Sequence, residues 1–183
     1  MAPDRDEERE LLARARALDP DAWETVYRRS YPRLVDYARR RLPAGADPDD
    51  AVSEAMARAM DRVATLEDQG LRLEAWLYGI LRNVVLEHTR AQGRSAPAAT
   101  EEQLPHPGPG PLEELLDAEL TGSVRRAFTG LSDDDQEVLW LRLVARLSSA
   151  EVADVVGRRE GAVRQAQSRA LDRLRRRLEE VHP

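Results

Sequence analysis

The side chains best suited to read a nucleic acid lie near the C-terminal end of the chain. Arginine can pair bidentately with a guanine edge, and glutamine with an adenine edge. In a helix that starts near Glu160, Arg164, Gln165 and Ser168 project away from the apolar face and lie closest to the helix start. We expect these three residues to contact bases and nearby arginines to clamp phosphates, which orients a protein without specifying sequence. The expected phosphate clamps are Arg158, Arg159, Arg169 and Arg173.

The segment before this helix has the pattern of a short helix that ends in a tight turn. Ser148 and Glu151 form a predicted capping box, Val152 and Val155 supply an apolar face, and Gly157 offers a left-handed stop. A short helix, a glycine turn and a longer basic helix predict a helix-turn-helix, whose second helix commonly enters the major groove. An arginine-rich terminal helix alone would as readily be a solvated face, so the prediction depends on the caps and turn being in register.

A proline-rich stretch divides the chain. Residues 92–111, QGRSAPAATEEQLPHPGPGP, contain five prolines and three glycines, which disfavour a helix and predict a flexible linker. After it, residues 112–128 and 132–147 each read as one amphipathic helix, and Ser132 with Asp135 forms another predicted capping box. We therefore expect two domains, residues 1–91 and 112–183, joined by the linker.

The apolar periodicity before the linker is helical throughout. Repeats of three or four residues predict helices at about 6–18, 21–42, 48–64 and 71–91. Either Asp47 or Asp49 can cap the third helix. The fold class is therefore all-α, with two small helical domains. The expected buried stripes are Val52, Ala55, Met56, Ala59, Met60 and Val63 in the third helix, and Trp76, Leu77, Ile80, Leu81, Val84 and Val85 in the fourth.

Charge is distributed unevenly along the 183 residues. The whole chain carries a net charge of −6, residues 112–155 carry −6, and residues 156–183 carry +4. DNA repels a chain that is negative overall. A basic end on an acidic body therefore indicates DNA binding that needs help from a partner.

The composition also excludes several kinds of site. The chain contains no cysteine and its three histidines are far apart in sequence, so disulfides and thiolate metal sites are excluded and no metal or cofactor is expected. No apolar run approaches the about 18 residues of a membrane span, and the N-terminus is acidic. We expect a soluble, unprocessed cytoplasmic protein with no membrane insertion.

Four stretches match one known pattern in order. They are DPDAWETVYRRSYPRLVDYARRRL, ADPDDAVSEAMARAMDRV, RLEAWLYGILRNVVLEHTR and LSDDDQEVLWLRLVARLSSAEVADVVGRREGAVRQAQSRALDRLRRRL. The first three resemble region 2 of the sigma-70 family of RNA polymerase sigma factors, and the last resembles region 4. The resemblance omits only the extreme N-terminus, the linker and the helix after it. No third domain is recognisable between the two regions, which is typical of the extracytoplasmic-function group.

The resemblance implies a non-catalytic specificity subunit that binds the RNA polymerase core and promoter DNA. Its third helix would hold the clamp helices of the largest polymerase subunit. Val52 and Met56 are expected in the core of the domain, with the polar residues of the helix facing polymerase. The implied polymerase contacts are Asp49, Asp50, Ser53, Glu54 and Arg58.

The same resemblance assigns promoter melting to residues 64–72 and the start of the fourth helix. Unpaired bases stack on aromatic faces and arginine planes, which suits this segment to the minus-ten element. We expect Trp76 to be mainly a core residue, and Tyr78, Arg82 and Asn83 to meet the DNA.

The second domain would read the minus-thirty-five element through its helix-turn-helix. Its preceding helices would sit on the flap of the second-largest polymerase subunit, and the linker would thread toward the active-site and RNA-exit channel. Members of this family are often held inactive by an anti-sigma protein, so such a partner is a further expectation.

Several positions depart from the family pattern. A missing serine cap costs a helix about 0.5–2 kcal/mol, and changes in the recognition helix prevent a promoter sequence from being carried over. The departures are Ser53 for glutamine, Met56 and Met60 for large aromatics, Arg159 for the serine cap, Ala166 for arginine and Gln167 for leucine.

Two other classes of function compete with this one. A stand-alone helix-turn-helix regulator would use its first domain as a sensor or dimerisation module and would bind a palindrome without polymerase. An enzyme is less consistent with the sequence, which lacks a nucleophile with its base, a phosphate cradle and a metal-spaced cluster. Acidic groups at 113–119 and 133–135 are better explained as charges at helix starts.

Overall fold

The computed structural model describes residues 5–66, 72–95 and 118–181. Every regular element in these ranges is helical, which confirms the all-α class. The chain divides into two units, residues 1–107 and 108–183, and each is described by itself.

Four helices lie in the described residues of the first unit, 5–66 and 72–95. They are α1 (Arg5–Arg16), α2 (Pro20–Arg41), α3 (Pro48–Arg62) and α4 (Leu73–Ser95), and a 3₁₀ turn at Val63–Thr65 follows α3. Helices α2, α3 and α4 pack against one another, and α1 packs on α2. Leu34, Tyr37, Leu77, Tyr78 and Leu81 are large side chains that are fully buried in the core, and Trp23 is also buried, at 6% exposure.

Local caps fix where α2 and α3 begin. The Asp19 carboxylate accepts from the backbone N–H of Asp21 at 2.9 Å, and Asp47 accepts from Asp49 at 2.8 Å. Proline occupies the first turn of both helices, where its missing N–H costs nothing. Of the two possible caps for α3, Asp47 is therefore the one used, and Asp49 is available for another contact.

The first unit departs from the sequence predictions at the ends of α3 and α4. Met60 was placed in the buried stripe of α3 but is 45% exposed, because it lies just past the edge of a stripe that stays buried at Ala59 and Val63. Helix α4 continues through Ser95, so residues 92–95 belong to it rather than to the predicted linker. The side-chain amide of Gln92 also donates to the Ala44 carbonyl at 3.0 Å. The remaining predicted linker residues, 96–111, lie outside the described residues, as do 67–71 of the predicted melting loop.

The second unit contains α5 (Ala118–Thr129), α6 (Asp133–Leu139), α7 (Ser149–Val156) and α8 (Glu160–Val181). Helix α8 packs against α5, α6 and α7. Leu131, Leu139 and Ala170 form a buried cluster, against which Phe128 and Leu174 pack. The long helix α8 therefore takes its position from three shorter ones.

The single helix predicted at 132–147 is wrong in its second half. A π-helical stretch, Trp140–Val144, follows α6, and the N–H of Ala145 donates to the Trp140 carbonyl at 3.1 Å. Leu139, Trp140 and Leu141 are all buried. In this stretch the backbone hydrogen bond joins residue i+5 to residue i rather than residue i+4, so the chain departs from the 3.6-residue turn on which the prediction rested.

Candidate nucleic-acid and protein interfaces

Helix α8 presents the predicted reading face to solvent. Val163, Ala166 and Ala170 are buried, whereas Arg164, Gln165, Ser168 and Arg169 are exposed. Arg164 forms an i,i+4 ion pair with Glu160 at 3.3 Å, and both side chains are largely exposed. Such a pair contributes little, so Arg164 can exchange this carboxylate for another acceptor.

The turn before α8 forms as predicted. Ser148 N–H donates to the Glu151 carboxylate at 2.6 Å, and Glu151 N–H donates to the Ser148 hydroxyl at 3.1 Å, which completes the capping box. Gly157 adopts φ 68° and ψ 40°, a left-handed conformation that glycine takes without steric cost. The short helix and its stop therefore fix the entry of the chain into α8.

Two of the four expected phosphate clamps have carboxylate partners on α6. Arg158 donates to Asp134, which raises the pKa of Arg158. Arg173 makes a bidentate pair with Asp135, with distances of 2.7 and 2.6 Å. Arg159 and Arg169 are exposed. Arg158 and Arg173 are therefore paired with carboxylates of α6, although their side chains remain 37% and 42% exposed.

The Asp135 carboxylate is the buried partner of the bidentate pair. Burial raises the pKa of Asp135, but hydrogen bonds from Arg173 and Ser132 outweigh it, so the pKa lies below its usual range. Ser132 also caps α6 by accepting from the Asp135 N–H at 3.3 Å. Asp135, which the sequence suggested as a capping-box partner, thus directs its side chain to Arg173.

A second set of side-chain hydrogen bonds that holds α8 was not predicted from the sequence. Arg142, in the π-helical stretch, donates through Nε to the Gln167 side-chain oxygen at 2.8 Å and through Nη1 to the Leu147 carbonyl. From the sequence, Gln167 was noted only as a polar residue at a position where leucine is usual in the family. Its partner lies 25 residues earlier, and nothing in the local pattern of either segment reveals the pairing.

The residue just before α8 is an arginine, whose side chain has no hydrogen-bond acceptor with which to cap the helix. The Arg159 carbonyl accepts the N–H of Val163 at 3.1 Å, which places Arg159 at the N-cap position. We expect Arg159→Ser to raise the free energy of unfolding of this unit by about 0.5–2 kcal/mol, because the hydroxyl can accept one of the unpaired helix-start N–H groups. Urea unfolding of the full chain measures the change. The matched control is Arg159→Ala, which loses the same charge without gaining an oxygen; equal stability of the two variants would contradict the prediction.

Helix α3 exposes most of the residues expected to meet polymerase. Asp49, Asp50, Ser53 and Glu54 are exposed, while Val52 and Met56 are buried as predicted. The Tyr31 hydroxyl donates to the Asp49 carboxylate, and this hydrogen bond raises the pKa of Tyr31. The exposed part of α3 is therefore acidic along its first two turns.

Arg58 joins α3 to α4. Its guanidinium donates to Glu87 at 3.1 and 2.7 Å and to Glu54 at 2.5 Å. The hydrogen bond from Arg58 lowers the pKa of Glu87. Glu54 also lies 3.4 Å from the His88 ring. Glu54 and Arg58 thus belong to a network between two helices, whereas Asp50 and Ser53 lie on the face beside it.

The prediction that Tyr78 faces DNA from the surface of the fold is corrected by the structure. Tyr78 is 0% exposed, and its ring meets that of Tyr37 edge to face, with centroids 5.5 Å apart. Helix α4 packs against both α2 and α3, which widens its buried face to include this position. Trp76 and Arg82 are half-buried, and Asn83 is exposed.

A surface depression adjoins Asn83. It is lined by Arg62, Asn83 and Arg90 together with the Arg58 and Glu87 pair. The side chains of Arg62 and Arg90 are exposed, so the depression offers cationic donors beside an amide. Its chemistry suits a phosphate or a base edge.

Residues 5–66, 72–95 and 118–181 contain no group of three or more histidines or acidic side chains placed to hold a metal ion. No helix among these residues has the length and apolar character to cross a membrane.

Comparison with known proteins gives the same family in both units. Residues 26–95 match the family model for Sigma-70 region 2, and residues 127–176 match that for Sigma-70, region 4. The ECF RNA polymerase sigma factor BldN of Streptomyces coelicolor is 35% identical over 175 residues, which are 92% of this chain and 65% of BldN. The ECF RNA polymerase sigma factor SigD of Mycobacterium tuberculosis is 33% identical over 171 residues, covering 90% of this chain and 81% of SigD.

A solved structure shares the fold. CnrH, in complex with the cytosolic domain of CnrY, superposes with a TM-score of 0.66 at 22% identity. The match covers 97% of this chain and 99% of CnrH.

Proposed function

Because this chain belongs to the extracytoplasmic-function group of the sigma-70 family, we propose that it directs promoter-specific initiation by a bacterial RNA polymerase in the cytoplasm and catalyses no step itself. One observation carries the proposal: the two family matches fall on separate helical units, and each unit exposes several of the residues expected to make contacts. These residues are Arg164, Gln165 and Ser168 on α8, and Asp49, Asp50 and Ser53 on α3.

The two units have different roles in promoter recognition. Residues 1–91 bind the clamp helices of the largest polymerase subunit and open the minus-ten element, and residues 112–183 read the minus-thirty-five element beside the polymerase flap. The acidic face of α3 supports the first assignment, because charge complementarity directs protein association. The exposed arginines and glutamine of α8 support the second, since they match major-groove edges.

Run-off transcription tests the proposal. Core polymerase with this chain should start at discrete genomic promoters that core polymerase alone does not use. No initiation at any promoter of the host genome, with core polymerase shown to be active alongside another sigma factor, would contradict it. Tight binding of the chain alone to a palindromic site would instead favour a stand-alone regulator.

Promoter melting should depend on Arg82 and Asn83 rather than on the Tyr78 hydroxyl. Tyr78→Phe keeps the buried ring against Tyr37, so we expect initiation on double-stranded and on pre-melted templates to stay within about twofold of wild type. Arg82→Ala removes a planar cation that can stack on an unpaired base, a contact of about 0.5–2 kcal/mol, so we expect initiation to fall roughly 2- to 30-fold. The loss should appear on the duplex and be largely relieved on the pre-melted template. Equal losses on both templates would contradict a role in melting.

A protein inhibitor that covers the polymerase-binding face is the expected regulator of this chain. Its target includes the exposed acidic residues of α3, whose occupation would exclude polymerase. Co-purification of the tagged chain from its host, followed by mass spectrometry, should recover core polymerase and such an inhibitor in separate complexes. Recovery of an inhibitor only together with polymerase would contradict mutually exclusive binding.

A further inference from the structure

The buried stripe of α8 is bordered by a polar tie on each side. Taking Val163 as 0° and 100° per residue, Val163, Ala166, Ala170 and Leu174 span about 300° to 20°. Gln167 lies at about 40°, just past one edge, and Arg173 at about 280°, just past the other. The exposed reading residues Arg164, Gln165 and Ser168 lie on the opposite side, at about 100° to 200°.

Each border residue is tied to the same preceding segment. Gln167 accepts from Arg142 at 2.8 Å, and Arg142 also donates to the Leu147 carbonyl just before the capping box of α7. Arg173 donates both of its hydrogen bonds to Asp135, at 2.7 and 2.6 Å. Both anchors belong to the continuous stretch of α6 and the π-helical turn that follows it.

We propose that Arg142 and Asp135 are positioning residues for promoter reading, which fix the rotation of α8 about its own axis through Gln167 and Arg173. This inference rests on the proposed function. Small buried residues such as Ala166 and Ala170 resist rolling weakly, because they present little relief to the neighbouring helices. Two directional bonds on opposite borders oppose rotation in either sense.

The expected consequence is a change in discrimination between bases. A side-chain tip about 6 Å from the helix axis moves by roughly 1 Å for each 10° of roll. Base-edge hydrogen bonds tolerate only about 0.5 Å in length, so a modest roll removes the preference for one base pair. Contacts to phosphates adapt more readily, since long arginine side chains reach them without fixed geometry.

A selection from random duplexes tests the proposal. Holoenzyme assembled from core polymerase and the full chain selects upstream sequences, and affinities are then measured for the preferred site and its single-base changes. We expect Gln167→Leu to reduce discrimination about three- to tenfold at the positions read by α8, with the slope of affinity against salt unchanged. Gln167→Glu, which keeps an acceptor for Arg142, should restore it. Leu171→Ala, at an exposed position of α8, is the matched control and should leave discrimination unchanged.

The hydrogen bonds between Arg173 and Asp135 allow a test that distinguishes positioning of α8 from phosphate binding. We expect Arg173→Gln to lower discrimination at constant salt slope, whereas loss of a phosphate clamp would lower the slope by about 0.9 and weaken all sequences equally. Unfolding midpoints of every variant identify any general loss of stability. Unchanged discrimination in both Gln167→Leu and Arg173→Gln would overturn the inference, as would failure of Gln167→Glu to restore it. A wild-type holoenzyme that selects no upstream sequence would instead overturn the proposed function itself.

Discussion

Arg164→Ala should relax the upstream promoter requirement at a single base pair. Arg164 is exposed at the start of the second turn of α8, near the helix end that approaches base edges most closely. Its present partner, Glu160, is a surface carboxylate that a guanine edge can replace. A bidentate arginine contact contributes about 1–3 kcal/mol of discrimination, so the preference for one base pair should fall roughly 5- to 150-fold. Holoenzyme affinities for duplexes that differ at one upstream position measure the change.

Arg176→Ala supplies the charge-matched control. Arg176 is also exposed on α8, about three turns further from the helix start, where it lines a groove together with Arg169, Asp172, Arg173 and Arg175. Its loss should weaken all duplexes alike and reduce the salt slope by about 0.9 if it contacts one phosphate. A uniform loss in Arg164→Ala, with no change in base preference, would show that Arg164 contacts only the backbone.

The sequence was most informative where the interactions are local. The capping box of Ser148 and Glu151, the left-handed Gly157 and the exposed reading face of α8 all depend on residues within one or two turns of each other. For such features, spacing alone determines which groups can meet. The prediction of the helix-turn-helix therefore needed no knowledge of the rest of the fold.

Features that depend on a second helix were missed. Tyr78 lies at the border of the apolar stripe of α4, and only the packing of α2, which brings Tyr37 against its ring, decides that it is buried. The pairing of Arg142 with Gln167 spans 25 residues. Periodicity identifies faces of single helices, but a position at the edge of a face is decided by the neighbour that covers it.

The π-helical turn is a backbone feature that apolar periodicity also failed to predict. Trp140, Leu141 and Leu147 are apolar, and a regular helix through them fits a periodic pattern tolerably. The structure instead widens the helix, and the Leu147 N–H donates to the Leu141 carbonyl at 3.0 Å. Arg142 lies in this widened turn. The backbone feature that periodicity did not predict therefore contains a residue that is hydrogen-bonded to α8.

Asp50→Arg should weaken binding to core polymerase by roughly 30-fold to several thousand-fold. Asp50 is exposed in the first turn of α3, beside Asp49 and Ser53, on the face proposed to meet the clamp helices. A charge that becomes buried against a complementary partner typically costs about 2–5 kcal/mol when it is lost, and reversal adds repulsion. Titration of labelled core polymerase with the full chain measures the affinity. Asp50→Asn, which removes the charge without reversing it, should bind core polymerase with an affinity between those of the wild type and Asp50→Arg.

Helix α3 itself must remain intact for this result to be informative about binding. The arginine places a positive charge at a helix start, which costs about 0.3–1 kcal/mol through the helix dipole, far less than the expected loss of affinity. Glu10→Arg makes the same change of net charge on the exposed surface of α1, outside the part of the chain that matches region 2. If overall charge governed association, both variants would lose affinity equally. Loss confined to Asp50→Arg, at similar unfolding midpoints, places the contact on α3, because only a local partner distinguishes two surface carboxylates in the same unit.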